Sequence, residues 1–146
     1  ILPKEDKGNA FSKQQLLDFI RYGYLSASVD NPSHLRNIYA SRVNYYQSGY
    51  VDIDFIINDK TNYFNRWPKY YYEFIENSET VEQLDNNYFR AVFQSRFELE
   101  NSSKKTRGIS QTTLTLLKFD NQYKITSENS KIIDQQTDNI HLKAFI

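Results

Sequence analysis

The chain has 146 residues, enough for one domain and its core. Eighteen basic side chains balance eighteen acidic ones. Nothing in that balance draws the chain to nucleic acid or to an anionic membrane, and no apolar run approaches the ~18–20 residues of a membrane span. The absence of Cys excludes thiol catalysis, disulfides, zinc–thiolate sites and iron–sulfur clusters. The 23 aromatic residues promise a sizeable core, although heavy use of Asn, Ile, Lys and Tyr has the look of an AT-rich genome.

Residues 1–10, polar and carrying both Pro and Gly, read as a flexible lead-in. Since the chain begins at Ile1 and contains no Met, a processed or truncated start is expected, which leans the compartment towards the periplasm or export. Ser12 and Gln15 form a capping box, with Phe11 placed to staple against Leu16. Leu16, Leu17, Ile20, Tyr24 and Leu25 then supply one apolar face of a helix over about 12–28, interrupted by Gly23. Asn31-Pro32 starts a second, short helix with Leu35 and Ile38 inward. Arg42 to Tyr46 is a predicted strand ending at Ser48-Gly49. Asp52 caps a third helix, which carries Ile53, Ile56, Ile57, Lys60, Tyr63, Phe64 and Trp67 and stops at Pro68.

From residue 69 onward the pattern is strands. Lys69 to Glu76 is one. In Tyr88 to Glu100, Phe89, Ala91, Phe93, Ser95, Phe97 and Leu99 alternate with Arg90, Gln94, Arg96 and Glu98. Asn101 to Gly108 is predicted as a hairpin loop, Ile109 to Phe119 as the returning strand, and Asp120-Asn121 as a tight turn into Gln122 to Asn129, extending to Ile133. Residues 134–146 form a tail or an extra edge strand. Helices in front and an antiparallel meander behind give an α+β domain over 11–133. In it, helices pack on the concave face of a curved antiparallel sheet, leaving a cone-shaped interior.

This order, over roughly residues 12–133, resembles the NTF2-like (cystatin-like) cone, the SnoaL/ketosteroid-isomerase-like superfamily. One stretch is more specific: Tyr45-Tyr46-x-x-Gly49-x-Val51, then Asp59-Lys60-x-x-Tyr63-Phe64-x-Arg66-Trp67-Pro68. It is similar to a signature of bacterial NTF2-like domains of undefined function, sometimes attached to peptidase or envelope proteins. The resemblance implies the fold and no activity, because this cone hosts isomerases, dehydratases, transport adaptors and secretion scaffolds. A likeness to the periplasmic domain of the VirB8 secretion component rests on the cone alone, since the Asn-Pro-x-Gly motif associated with it is missing.

No convincing catalytic constellation emerges from the residues. Asp52 and Asp54 could serve isomerase chemistry beside a Tyr, yet they are better explained as a helix cap and a first-turn acid. His34 and His141 are too few and too far apart for a metal set, and no G-x-S-x-G elbow exists. Arg66 and Trp67 either form a pocket mouth gripping an anion or plug a helix-end corner, with Arg66 paired to a neighbouring acid. Lys104-Lys105-x-Arg107 reads as a solvated hairpin tip, and Asn101-Ser102-Ser103 as a formal glycosylation acceptor.

The expected role is therefore a non-enzymatic binding or assembly module of a bacterial protein, with no cofactor and no metal. A small apolar ligand would sit in a pocket of Tyr46, Tyr63, Trp67, Phe93 and Phe97. A homodimer would form through an open sheet face carrying Tyr71, Arg90 and Arg96. The alternatives are a small isomerase or dehydratase with a buried Asp/Tyr pair and a VirB8-like scaffold. A deep pocket holding a desolvated carboxylate within reach of a Tyr hydroxyl would favour the enzyme.

Overall fold

The computed structural model describes residues 11–139, so the lead-in at 1–10 and the tail from Ile140, His141 included, lie outside the described residues. Helix α1 (Lys13–Asp18) starts where the sequence places it, with Ser12 Oγ accepting from the Gln15 amide. The single helix expected over 12–28 ends at Tyr24 and changes its winding part-way, with the backbone still right-handed helical at Asp18 and Phe19. After Asp18 the chain widens into a π-helical turn, Phe19–Tyr24, closed by the bond from Leu25 N–H to Ile20 C=O. Phe11 stacks on Phe89 with ring centres 4.9 Å apart. Helix α2 (Pro32–Ile38) is capped by Asn31, and α3 (Ile53–Arg66) by Asp52, whose carboxylate accepts from the Phe55 amide at 3.0 Å.

Seven strands make one curved, open sheet: β1 (Tyr39–Tyr45), β2 (Tyr50–Val51), β3 (Lys69–Phe74), β4 (Thr80–Gln83), β5 (Tyr88–Glu100), β6 (Lys104–Phe119) and β7 (Gln122–Asn139). The order is β2-β1-β7-β6-β5-β3, with β4 also on β5. All pairings are antiparallel except β1 with β7, which run parallel. Strands β3 and β4 lie end to end along one edge of β5. Where they break, the Gln94 carbonyl accepts from the Ile75 amide and the Ser78 hydroxyl, and that hydroxyl accepts from the Gln94 amide.

The expected 101–108 loop is much shorter. Asn101 Oδ1 accepts from the Ser103 and Lys104 amides at 2.8 Å, closing the turn within three residues. Lys104, Lys105 and Arg107 consequently lie in strand β6 rather than at a loop tip. Strand β7 likewise runs on through the polar stretch to Asn139.

Two irregularities bend the β6–β7 ribbon. Thr115 opposes Ser127 while Leu116 opposes Ile125, so Thr126 is an extra residue; Ser110 opposes Ile132 while Ile109 opposes Asp134, so Ile133 is another. Each bulge adds local twist and resets which side chains face inward. Beside the second bulge, a Cβ at Gly108 would stand 1.9 Å from the Asp134 carbonyl oxygen. Only glycine lets the ribbon pass so closely at that point.

Leu16, Ile20, Leu35, Val43, Ile56, Phe89, Phe93, Leu114, Leu116 and Ile125 form the fully buried core, with helices on the concave face of the sheet. The outer face of β5 carries Arg90 and Arg96, as the alternation predicts. Gly108→Ala is expected to destabilise the fold by about 2–3 kcal/mol and to lower Tm by roughly 5–10 °C in a calorimetric scan. An unchanged Tm would mean that the ribbon has slack at this crossing.

Candidate functional site

The distinctive chemistry gathers around a residue that sequence reasoning missed. Glu128 on β7 has no solvent exposure. Strict alternation from the inward-facing Tyr123 and Ile125 would turn Ser127 and Asn129 to the interior and Glu128 outward. The extra residue at Thr126 reverses that phase and points the carboxylate into the cone.

A buried carboxylate is costly unless its oxygens are supplied with donors. Here four side chains supply them. The Tyr39 hydroxyl donates to Oε1, while Oε2 accepts from the Tyr24 hydroxyl at 2.7 Å, the Lys60 ammonium at 3.1 Å and the Tyr46 hydroxyl at 3.3 Å. The Lys60 ammonium also lies 5.8 Å from the ring centres of Tyr24 and Tyr45, each a favourable cation–π distance. One residue away on α3, Asp59 accepts from the Tyr45 hydroxyl at 2.8 Å.

The local backbone explains how these groups converge. The π-helical turn ends at Tyr24, which supplies a donor to Glu128. His34 secures that turn through its Nε2 contact with the Gly23 carbonyl at 2.9 Å. At the end of β1, Tyr46 has a positive φ of 50°, a left-handed conformation uncommon for a non-glycine residue. It breaks the period of two, so adjacent Tyr45 and Tyr46 both face inward, and the Tyr46 N–H binds the Glu128 carbonyl at 2.9 Å.

The cluster forms one end of a cavity of about 580 Å³, within the range typical of small-molecule sites. Helix α3 contributes Lys60, Tyr63 and Phe64, spaced three and four apart on one face, and its C-cap contributes Trp67. Phe64 packs on Tyr70 with ring centres 4.2 Å apart, Tyr63 meets Phe64 edge-on at 5.1 Å, and the Tyr72 hydroxyl donates to that of Tyr63 at 3.3 Å. The opposite wall is the sheet, where Phe97 and Leu99 adjoin Ser95, Thr106, Ser110, Thr112 and Ser130. Arg66, Tyr70, Lys131 and Ile132 line its more exposed part.

Of the expected pocket residues, Tyr46, Tyr63, Trp67 and Phe97 line this cavity. Phe93 does not: it is fully buried in the core, against Phe74 and Tyr24. Trp67 is half-buried on the cavity wall, and Arg66 lies with its guanidinium 5.7 Å from the Tyr63 ring centre. Asp52 is the α3 cap and Asp54 pairs with Arg36 at 2.5 Å; neither lines the cavity. The proposed interface residues are on the outer face and partnered within the chain: Arg96 with Glu73 at 3.1 Å, Arg90 with Glu82 at 3.7 Å, and Tyr71 donating to Glu73 at 2.9 Å. Among the described residues, no group of three or more His, Asp or Glu is placed to hold a metal ion, and no helix is long and apolar enough to cross a membrane.

No family model matches the sequence, and no curated protein matches it at the sequence level. Solved structures do match its shape. A hexachlorocyclohexane dehydrochlorinase, LinA-type3 from Novosphingobium barchaimii, superposes with a TM-score of 0.67 at 10% identity, covering 88% of this chain and 89% of its own. An uncharacterised protein of cystatin-like fold from Caulobacter vibrioides gives 0.65 at 11% identity, over 82% and 89%. A scytalone-dehydratase-like protein from Novosphingobium aromaticivorans gives 0.62 at 10% identity, over 88% and 85%. This chain has the NTF2-like fold. Identities this low carry the architecture alone, so the chemistry of this NTF2-like cone has to be read from its own side chains.

The tyrosines around Glu128 are held in their neutral, donating form. Burial, and next the Glu128 charge, push the Tyr24, Tyr39, Tyr45 and Tyr46 hydroxyls above their ordinary value of 10.0. A group whose pKa is raised on folding favours the native state below its unfolded pKa and withdraws that support as pH rises above it. Stability is therefore expected to fall steeply above about pH 10, with the two most buried hydroxyls, Tyr24 and Tyr39, each contributing about 1.4 kcal/mol per pH unit. Ultraviolet titration of tyrosinate alongside circular dichroism checks this. Ionisation of these tyrosines before loss of structure would contradict it.

Proposed function

We propose that this NTF2-like domain is a small-molecule-binding module that holds its ligand in the cone without transforming it. The carrying observation is the combination of a cavity of about 580 Å³ with a Glu128 carboxylate already engaged by four donors of the chain itself. A general base has to present a free lone pair to the proton it removes, and Glu128 Oε2 is already taken up by Tyr24, Tyr46 and Lys60. Glu128 instead organises Tyr24, Tyr39, Tyr46 and Lys60 into one wall of a pocket whose remaining surface mixes aromatic rings with the hydroxyls of β5, β6 and β7.

Fragment screening by ligand-observed NMR, followed by Trp67 fluorescence, tests the reading directly, because Trp67 is the only tryptophan of the chain and lines the cavity. Ring compounds are expected to bind saturably and to be recovered unchanged after prolonged incubation. Recovery of an isomerised or dehydrated product would replace this reading with a second one, elimination or isomerisation chemistry. That reading is favoured by the contact between a buried carboxylate and Tyr hydroxyls on the cavity wall, and by the dehydrochlorinase and dehydratase names of two fold neighbours.

For assembly, the outer face of β3 and β5 is the surface on which a second copy would pack, centred on Tyr71 and Arg96. Light scattering at high concentration is expected to give a dimer that Tyr71→Lys dissociates. A monomeric wild type would remove the assembly part and leave the binding part intact.

A further inference from the structure

The sheet wall of the cavity is interrupted by a band of hydroxyls where a packed core would place apolar side chains. Ser95 opposes Ser110 across β5–β6, and Thr112 opposes Ser130 across β6–β7. The paired oxygens are 3.1 Å and 2.8 Å apart. Ser95 and Thr112 are only 2% and 3% exposed, yet all four residues line the cavity. Within the Ser95–Ser110 pair one proton bridges the two oxygens, which leaves the other proton and the remaining lone pairs for a further partner.

The same cavity is lined from the end of α3 by the aromatic rings of Phe64 and Trp67, and a ring face attracts weakly positive C–H groups. The two walls make opposite demands. A wholly apolar ligand would strip water from the hydroxyl band and return no hydrogen bond, and a small ion would leave the rings uncovered. A saturated ring edged with hydroxyls meets both, with its C–H face on the aromatics and its rim on the band. On the reading that the cone holds a ligand, we infer that its occupant is a saccharide, with one pyranose ring lying between the α3 aromatics and the Ser95–Ser110/Thr112–Ser130 band.

The test titrates the full chain with maltose, cellobiose and N,N′-diacetylchitobiose, and separately with progesterone as an apolar probe. Trp67 emission and saturation-transfer NMR provide the readouts. At least one disaccharide is expected to bind saturably. Ser95→Ala/Ser110→Ala, which removes both partners of one pair and so leaves no orphaned hydroxyl, should weaken that binding about tenfold while keeping Tm within a few degrees. Thr112→Val serves as a second variant and should act in the same direction. Silence of all three disaccharides while progesterone binds would overturn the saccharide inference and leave the ligand-binding reading standing. Silence of every probe would remove both. A disaccharide bound equally well by wild type and variants would place its site away from the band and also overturn the inference.

Discussion

Glu128 places a carboxylate where water does not reach, and much of the architecture around it answers that constraint. Four donors arrive from separate parts of the chain: Tyr24 from the π-helical turn, Tyr39 and Tyr46 from β1 and its end, and Lys60 from α3. Loss of Tyr39 removes the donor to Oε1, and loss of Lys60 leaves a buried charge without its counter-ion, a change that costs about 3–5 kcal/mol in comparable sites. The cluster therefore ties the π-helical turn and α3 to the β1–β7 pairing, the one parallel pairing among the described strands. An unbroken parallel register from Tyr39–Ile125 would set Arg42 opposite Glu128, whereas the shifted register sets Tyr45 there. The hydrogen bonds explain why the bulged register between Tyr39 and Asn44 settles as it does.

The same residues show how far a sequence can be read. Helix caps at Ser12, Asn31 and Asp52 were legible because capping is local chemistry, settled within three or four residues. The inward set of β5 was legible because thirteen residues alternate without a fault. Glu128 was hidden because its direction depends on one extra residue in β7, and nothing in Ile125-Thr126-Ser127-Glu128 marks a bulge unless the partner strand is known. Tyr46 was placed in the pocket by its aromatic character, but its left-handed backbone, which lets it share a face with Tyr45, is a consequence of tertiary contacts with Glu128.

Phe93 and the Asn101–Gly108 segment illustrate two other limits. Phe93 and Phe97 have the same phase on β5 and differ only in what covers them: helices and Phe74 over the first, open cavity over the second. Periodicity reports the face of a strand and is blind to the distance between that face and whatever lies opposite. The segment from Asn101 to Gly108 looked like a loop because it is polar and ends in glycine. In the fold, one Asx turn at Asn101 is enough to reverse the chain, and Gly108 is retained for its missing side chain, not for turn geometry.

The interior is thus divided, and the division has a physical cause. Towards α1 and α2, Leu16, Ile20, Ile56, Phe89 and Phe93 meet in one cluster with no exposed surface to spare, and dispersion favours closing every gap. Towards the end of α3, Tyr63, Trp67 and Phe97 line a hollow instead of joining that cluster. Collapse there would press aromatic rings onto Ser95, Ser110, Thr112 and Ser130 and bury their spare hydrogen-bonding capacity without partners. Lys60 and Tyr46, which line the hollow, are meanwhile held in place by the carboxylate they serve. The polar groups of β5, β6 and β7 therefore act as spacers: they stabilise an open volume in a fold whose apolar content would otherwise favour filling it.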